Sequence, residues 1–311
     1  MKTNAISIVK LKQEYGKVVA LEDLSLDVSV GSIFGFLGPN GAGKTTTIRL
    51  LLGLLQPTAG TVTVLGNDSQ TQADQIRSQT GALLEHTGIY EQMSALNNLE
   101  FYGRAFRMPE KERNNRIQEL LNHMGLWERR NERAGNWSKG MKQKLALART
   151  LLHKPKLVLL DEPTAGLDVR SAVAIREDLQ SLAENEDVTI FITTHNMEEA
   201  EKLCDQVAVV QAGKLLAQGT PDDLRNYAGN FHIEITGRGF NNQALESIRK
   251  IPEISNFETH NSHLTIDLAM DIDLSEIVRM LVANGVQVEE VQRTKASLEK
   301  VFLELTGENN D

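Results

Sequence analysis

Residues Gly38 to Thr46 read GPNGAGKTT, and their types and spacing can hold a phosphate chain. Gly38, Gly43, Lys44 and Thr45 satisfy G-x-x-x-x-G-K-S/T. In that pattern glycines let backbone N–H groups wrap phosphate oxygens, the lysine reaches the β- and γ-phosphates, and the hydroxyl holds Mg²⁺. Pro39, Asn40, Gly41, Ala42 and Thr46 complete the expected loop. Further along, LVLLDEP ends an apolar run in Asp161 and Glu162. Asp161 has the chemistry to help hold Mg²⁺, and Glu162 that of a base that positions an attacking water. VTIFITTH closes on His195, at the strand end where a ligand is expected. Alone, an Asp-Glu pair before a turn and a histidine at a strand end are more often structural than catalytic. Behind a phosphate loop they read as one site.

A second stretch, WSKGMKQKLALAR from Trp137 to Arg149, also begins a helix. Ser138 is a good N-cap, Gly140 lies in the first turn, and Leu145, Ala148 and Leu152 recur at helical spacing. Free N–H groups at such an end attract anions. One chain thus carries two phosphate-seeking helix starts.

These residues need elements to position them. Ile33 to Leu37 (IFGFL) is a short apolar strand running into the glycine loop, and a helix is expected from Lys44 to Leu55, closed by Pro57. Residues near 5–30 alternate and break at Tyr15-Gly16-Lys17, which predicts antiparallel strands; TVTVLG is another strand. Polar, amphipathic residues follow, EKERNNRIQELLNHMG among them, and predict a helical insertion over about 95–153. The core resumes with LVLLDEP, a helix over Ser171 to Glu184, the strand VTIFITTH, the helix MEEAEKLC and the strands QVAVVQ and KLLAQG. Such alternation predicts an α/β fold, a largely parallel sheet with ligand at the C-terminal strand ends. A boundary near Tyr227 to Asn230 separates a domain over 1–227 from one over 228–311. The second reads β-α-β-β-α-β, a small ferredoxin-like α+β domain.

The length of 311 residues suits one large domain or two ordinary ones. A 41% hydrophobic and 24% charged composition is that of a soluble globular protein. The formal net charge of −9 weighs against a nucleic-acid surface. Cys204 is the only cysteine, so there is no disulfide framework and a reducing compartment is expected. The start, MKTNAISIVKLKQEYG, lacks the apolar core of a signal peptide. IRLLLGLL is too short to span a bilayer and carries Arg49. Any membrane role is expected to come through a partner.

Taken in order, the motifs over about residues 5 to 225 resemble the ATP-binding subunit of an ABC transporter. The resemblance implies a P-loop ABC ATPase core with an antiparallel β subdomain and a helical insertion, using ATP and Mg²⁺. Tyr15 is similar to the aromatic that stacks on adenine, WSKGMKQ to the signature usually written LSGGQ, Ala165-Gly166-Leu167-Asp168 to the D-loop, and His195 to the switch histidine. Lys44, Glu162 and His195 would be catalytic. In that family two ATPase domains pair head to tail, and the signature of one closes over the γ-phosphate held by the other. Ser138 and the Gly140 N–H would therefore serve the partner's ATP in a homodimer docked on separate membrane-spanning permease subunits, at the cytoplasmic face.

Two departures stand out. The signature has Trp137 for Leu, Lys139 for the first Gly and Met141 for Gln. SKGMKQ is similar to the variant in bacterial exporters of drugs, antibiotic peptides and other amphiphiles. The family's Q-loop glutamine falls at Glu85 in GALLEHTGIY. A carboxylate there can face Mg²⁺, with Thr45 and Asp161, but cannot donate a hydrogen bond as an amide does. The C-terminal segment, to SLEKVFLELTG, resembles the small extra domain of such exporters. The resulting expectation is an ATPase powering efflux by ATP-driven dimer closure. The alternative is a soluble ABC-type ATPase acting on nucleic acid or ribosomes. The single cassette, the acidic balance and the insertion without basic runs weigh against it.

Overall fold

Apolar runs without alternation become the central strands, because a strand covered on both faces has no solvent side to keep polar. In the computed structural model, which describes residues 4–186, 188–227, 231–268, 272–295 and 297–306, the order begins β1 (Asn4–Tyr15), β2 (Val18–Ser29), β3 (Ile33–Leu37), α1 (Lys44–Leu51), β4 (Ala59–Val64), β5 (Asn67–Asp68), α2 (Ala73–Gln79) and β6 (Thr80–Leu83). It continues with α3 (Ala95–Ala105), α4 (Glu110–His123), α5 (Lys139–Leu151), β7 (Leu157–Asp161), α6 (Val169–Glu186), β8 (Thr189–Thr194), α7 (Met197–Leu203), β9 (Gln206–Gln211) and β10 (Lys214–Gly219). Every residue of β3, β7 and β8 is buried.

These strands form a six-stranded sheet ordered β10-β9-β3-β8-β7-β6. It is parallel from β6 to β9, with β10 antiparallel at the edge. A second, antiparallel sheet is ordered β2-β1-β4-β5. Phe34, Phe36 and Phe191 stack in the core, with centroids 5.7 and 5.6 Å apart, and share one cluster with Ile6 and Leu26 of the antiparallel sheet and Ile48 of α1. The parallel register sets Leu37 beside Thr194 and Asp161 beside Thr193, so the phosphate loop, Asp161 and His195 leave the same sheet edge.

The helix after the glycine loop stops at Leu51, short of the expected Leu55. Gly53 takes φ +61°, its N–H donates to Leu50 O at 3.1 Å, and Leu54 N–H donates to Arg49 O at 2.9 Å. This pair of bonds closes the helix with a left-handed glycine. α6 starts at Val169 rather than Ser171, because the Asp168 carboxylate accepts from Ser171 N–H at 2.9 Å and caps it. α2 and β6 carry no expectation from sequence.

The chain divides into two compact units, Met1–Thr220 and Pro221–Asp311. The expected boundary near Tyr227 to Asn230 falls later than this division, and Ala228 to Asn230 lie outside the described residues. The second unit starts with α8 (Pro221–Tyr227), followed by β11 (Phe231–Arg238), α9 (Asn242–Arg249), β12 (Ile254–His260), β13 (His263–Leu268), α10 (Leu274–Ala283), β14 (Gln287–Lys295) and α11 (Leu298–Thr306). Helix α8 groups with this unit because it packs against α11. The sheet is antiparallel, ordered β12-β13-β11-β14. Ala244, Ile248, Ile277 and Leu281 of α9 and α10 bury against Ile233, Ile235, Leu264 and Ile266. That is the β-α-β-β-α-β pattern and the closing helix, SLEKVFLEL, read from sequence, with α8 added.

Candidate nucleotide site

β3 delivers the chain to the phosphate loop at its C-terminal end. Gly43 sits at φ +100°, and a Cβ there would lie 2.5 Å from Leu21 Cδ2 and 2.7 Å from Ala20 O. Only glycine meets both demands. Gly43 is also the N-cap of α1 and offers no side-chain cap, which leaves first-turn N–H groups to an anion. Lys44 is 7% exposed; its Nζ donates to Gly38 O at 2.8 Å and Pro39 O at 3.2 Å, and meets Glu162 Oε1 at 3.2 Å.

Asp161 is held on both oxygens. Oδ2 accepts from Thr45 Oγ1 at 2.7 Å and Oδ1 from Thr193 Oγ1 at 2.5 Å. Glu162 follows at φ +51°, a left-handed conformation that costs a non-glycine residue about 1–2 kcal/mol. Its N–H donates to Thr193 O at 3.0 Å. Its Oε2 lies 2.9 Å from Nδ1 of the exposed His195. Lys44, Glu162 and His195 thus form one continuous chain of polar contacts.

A cavity of about 530 Å³ opens over these groups. The structure brings Asn40, Gly41, Gly43, Lys44, Thr45, Thr46, Glu85, Asp161 and Glu162 to its walls, facing Val18, Val19 and Ala20 of β2. Thr45, Asp161 and Glu85 present oxygen donors, the ligand type Mg²⁺ takes, and the donor set fits that cation. Gly38 and Pro39 do not line the cavity but hold Lys44 through their carbonyls. Ala42 is buried in the loop, its N–H donating to Pro39 O at 3.2 Å. His195 meets the cavity only through Glu162. Tyr15 is exposed at the end of β1, opposite the wall residue Val18, and does not line the cavity.

Ser138 and Gly140 are not brought there either. Ser138 caps α5, accepting from Met141 N–H at 3.3 Å. A Cβ at Gly140 would lie 2.5 Å from Ser171 Oγ, so glycine lets α5 approach the start of α6. Sequence reasoning missed Thr193, which pins both Asp161 and Glu162 but is visible only through strand register. It also missed Glu199, which is 5% exposed, is pushed up in pKa by burial, and accepts from Thr164 Oγ1 at 2.7 Å. The run of carboxylates in MEEAE gives no sign of which one is buried.

A family model described as ABC transporter matches residues 21–165, and one described as the C-terminal domain of ATP-binding protein DrrA1-3-like matches residues 219–306. The linearmycin resistance ATP-binding protein LnrL of Bacillus subtilis is 33% identical over 301 residues, 96% of this chain and 96% of the relative. The bacitracin transport ATP-binding protein BcrA of Bacillus licheniformis is 34% identical over 303 residues, 97% of each chain. Among solved structures, cbiO1 from Clostridium perfringens, part of the transporter complex cbiONQ, superimposes with a TM-score of 0.67 at 26% identity, covering 72% of this chain and 92% of that one.

Proposed function

The chain belongs to the ABC transporter ATP-binding family, and from that premise we propose that it powers export of a substrate through separate membrane-spanning subunits. It binds and hydrolyses ATP. The observation that carries the mechanism is the convergence of Lys44, Thr45, Asp161 and Glu162 in one cavity. Lys44 is poised to exchange two loop carbonyls for phosphate oxygens. Thr45 and Asp161, joined by a hydrogen bond, would hold Mg²⁺ with Glu85 near them; when bound, that cation neutralises phosphate charge. Glu162 accepts the proton of the attacking water, and His195 orients its carboxylate.

Tyr15 stacks on adenine from the end of β1. Ser138 and the Gly140 N–H serve ATP held by a second copy, a reading supported by the likeness of WSKGMKQ to the family signature. No helix among the described residues is long and apolar enough to cross a membrane. We place the chain at the cytoplasmic face, bound as a homodimer to permease subunits. Relatives named for linearmycin resistance and bacitracin transport support a cargo among drugs and antibiotic peptides. The nucleic-acid alternative finds no support among them.

The test is reconstitution of the chain in vesicles with its membrane-spanning partner, scoring ATP-dependent efflux and phosphate release. Lys44→Ala should abolish both. ATP hydrolysis that never associates with that partner or moves cargo would overturn the transport reading.

A further inference from the structure

Lys139 is the residue at which the signature departs most in chemistry, a long cation in place of a glycine, and the nucleotide chemistry above gives it no task. Its Nζ donates to the carbonyl of Ala165 at 2.8 Å, across to the loop that follows Glu162. Gly166 makes room for it: a Cβ there would lie 2.4 Å from Lys139 Nζ. One turn further along α5, Gln143 Nε2 donates to Pro163 O at 2.7 Å. Among the described residues, these two side chains are the hydrogen-bond donors to those carbonyls.

The other end of the Ala165 peptide completes the connection. Ala165 N–H donates to Glu162 O at 3.1 Å. A path of two hydrogen bonds therefore runs from the Lys139 ammonium, through one residue, to the backbone of Glu162. Glu162 needs such support. Its left-handed φ of +51° persists only where the surroundings hold it. On its near side Thr193 supplies the hold, at 3.0 Å from its N–H. On its far side the hold comes from the 163–165 loop.

We propose that Lys139 is a positioning residue for Glu162: by fixing Ala165 it sets the backbone, and so the aim, of the carboxylate that accepts the water's proton. The start of α5 is thereby tied to the base of its own chain. The inference rests on Glu162 acting in ATP hydrolysis.

The test uses the full chain, with thermal unfolding as a control for folding. Lys139 is exposed, so its replacement leaves no cavity. Lys139→Met removes the donor at similar length, and Lys139→Arg restores one. Lys139→Met should lower kcat about tenfold while KM and Kd for ATP stay within about twofold, and Lys139→Arg should recover most of the loss. In a Glu162→Gln background, Lys139→Met should cost nothing more, because the residue it positions no longer acts.

An unchanged kcat for Lys139→Met would overturn the proposal. So would an equal loss for Lys139→Arg, or a further full loss in the Glu162→Gln background. A parallel weakening of ATP affinity would mean that Lys139 touches nucleotide directly, and would overturn it as well. Wild-type chain that fails to hydrolyse ATP would instead strike the parent reading, and the two failures are told apart by that control.

Discussion

Glu162→Gln separates the two tasks proposed for its carboxylate, proton acceptor and partner of Lys44. One oxygen faces Lys44 Nζ at 3.2 Å and the other faces His195 Nδ1 at 2.9 Å. The amide keeps the shape and loses the charge. Losing a positioned proton acceptor costs about 10²–10⁴-fold in rate, or about 2.7–5.4 kcal/mol of barrier. Binding should respond in the opposite sense. At 3.2 Å the attraction between ammonium and carboxylate is about 5 kcal/mol at an effective dielectric of 20, most of it offset by desolvation. On the proposed reading ATP would displace this contact and also meet the carboxylate's negative charge. The amide removes both obstacles, while Gly38 O and Pro39 O still orient Lys44.

Phosphate release should therefore fall at least a hundredfold, with the ATP Kd unchanged or up to about tenfold tighter by nucleotide titration. Size exclusion with ATP should show a longer-lived dimer. Turnover within about threefold of wild type would remove Glu162 from the base role. Binding weakened more than about tenfold would mean that the ion pair pre-forms the loop instead of competing with ATP.

Three further perturbations test other parts of the reasoning. Ser138→Arg and Lys44→Ala chains should each be inactive, yet mixing them should restore at most one composite site in two; activity of Ser138→Arg alone would exclude a role on the partner's ATP. Glu85→Gln should keep ATPase activity within about tenfold, about 1.4 kcal/mol, but shift the Mg²⁺ titration to higher concentration; an unmoved titration would make Glu85 a loop residue without metal contact. Burial against Phe106, together with the positive charge of Arg149, lowers the His153 pKa from 6.5 to about 4. Above 6.5 the ring is neutral in both states; as pH falls from 6.5 towards 4 only the unfolded chain takes the proton, so stability is lost across that window. The ceiling is about 3 kcal/mol, and partial solvent exposure brings the expected loss to about 1–2 kcal/mol. His153→Phe should remove this part of the pH dependence in denaturant titrations, and an identical profile would refute it.

What the sequence disclosed follows from the range of each interaction. The phosphate loop is legible because its glycines, lysine and threonine act within nine consecutive residues, GPNGAGKTT. β3, β7 and β8 are legible because full burial on both faces leaves an unbroken apolar run. The end of α1 is not, because Leu54 and Leu55 extend the apolar pattern while the backbone of Gly53 ends the helix. β6 is four residues, TGAL, too short to show any period, yet it carries the chain towards Glu85. α8 reads as a tail of the first domain until its packing against α11 is known. Thr193 on Asp161 and Lys139 on Ala165 join residues far apart in sequence, which only strand register and helix placement bring together.

Charge explains why these pieces must converge. Glu85, Asp161 and Glu162 line the cavity with one ammonium, Lys44, among them. Three formal negative charges against one positive leave these side chains at −2, before any phosphate arrives. A polyphosphate enters such a cavity only with compensation. Lys44 supplies part by leaving its carbonyls and Glu162, and the free N–H groups at the start of α1 supply more. On the proposed reading the remainder would fall to a divalent cation, which the carboxylates that repel the nucleotide would attract. A glutamine at position 85 would leave the four groups one charge less negative. The carboxylate found there makes nucleotide entry depend more steeply on the cation. On this reasoning, ATP affinity measured without Mg²⁺ should improve in Glu85→Gln even as the apparent affinity for Mg²⁺ declines. Opposite movement of those two quantities is the electrostatic signature, and a residue uncoupled from the site would move neither.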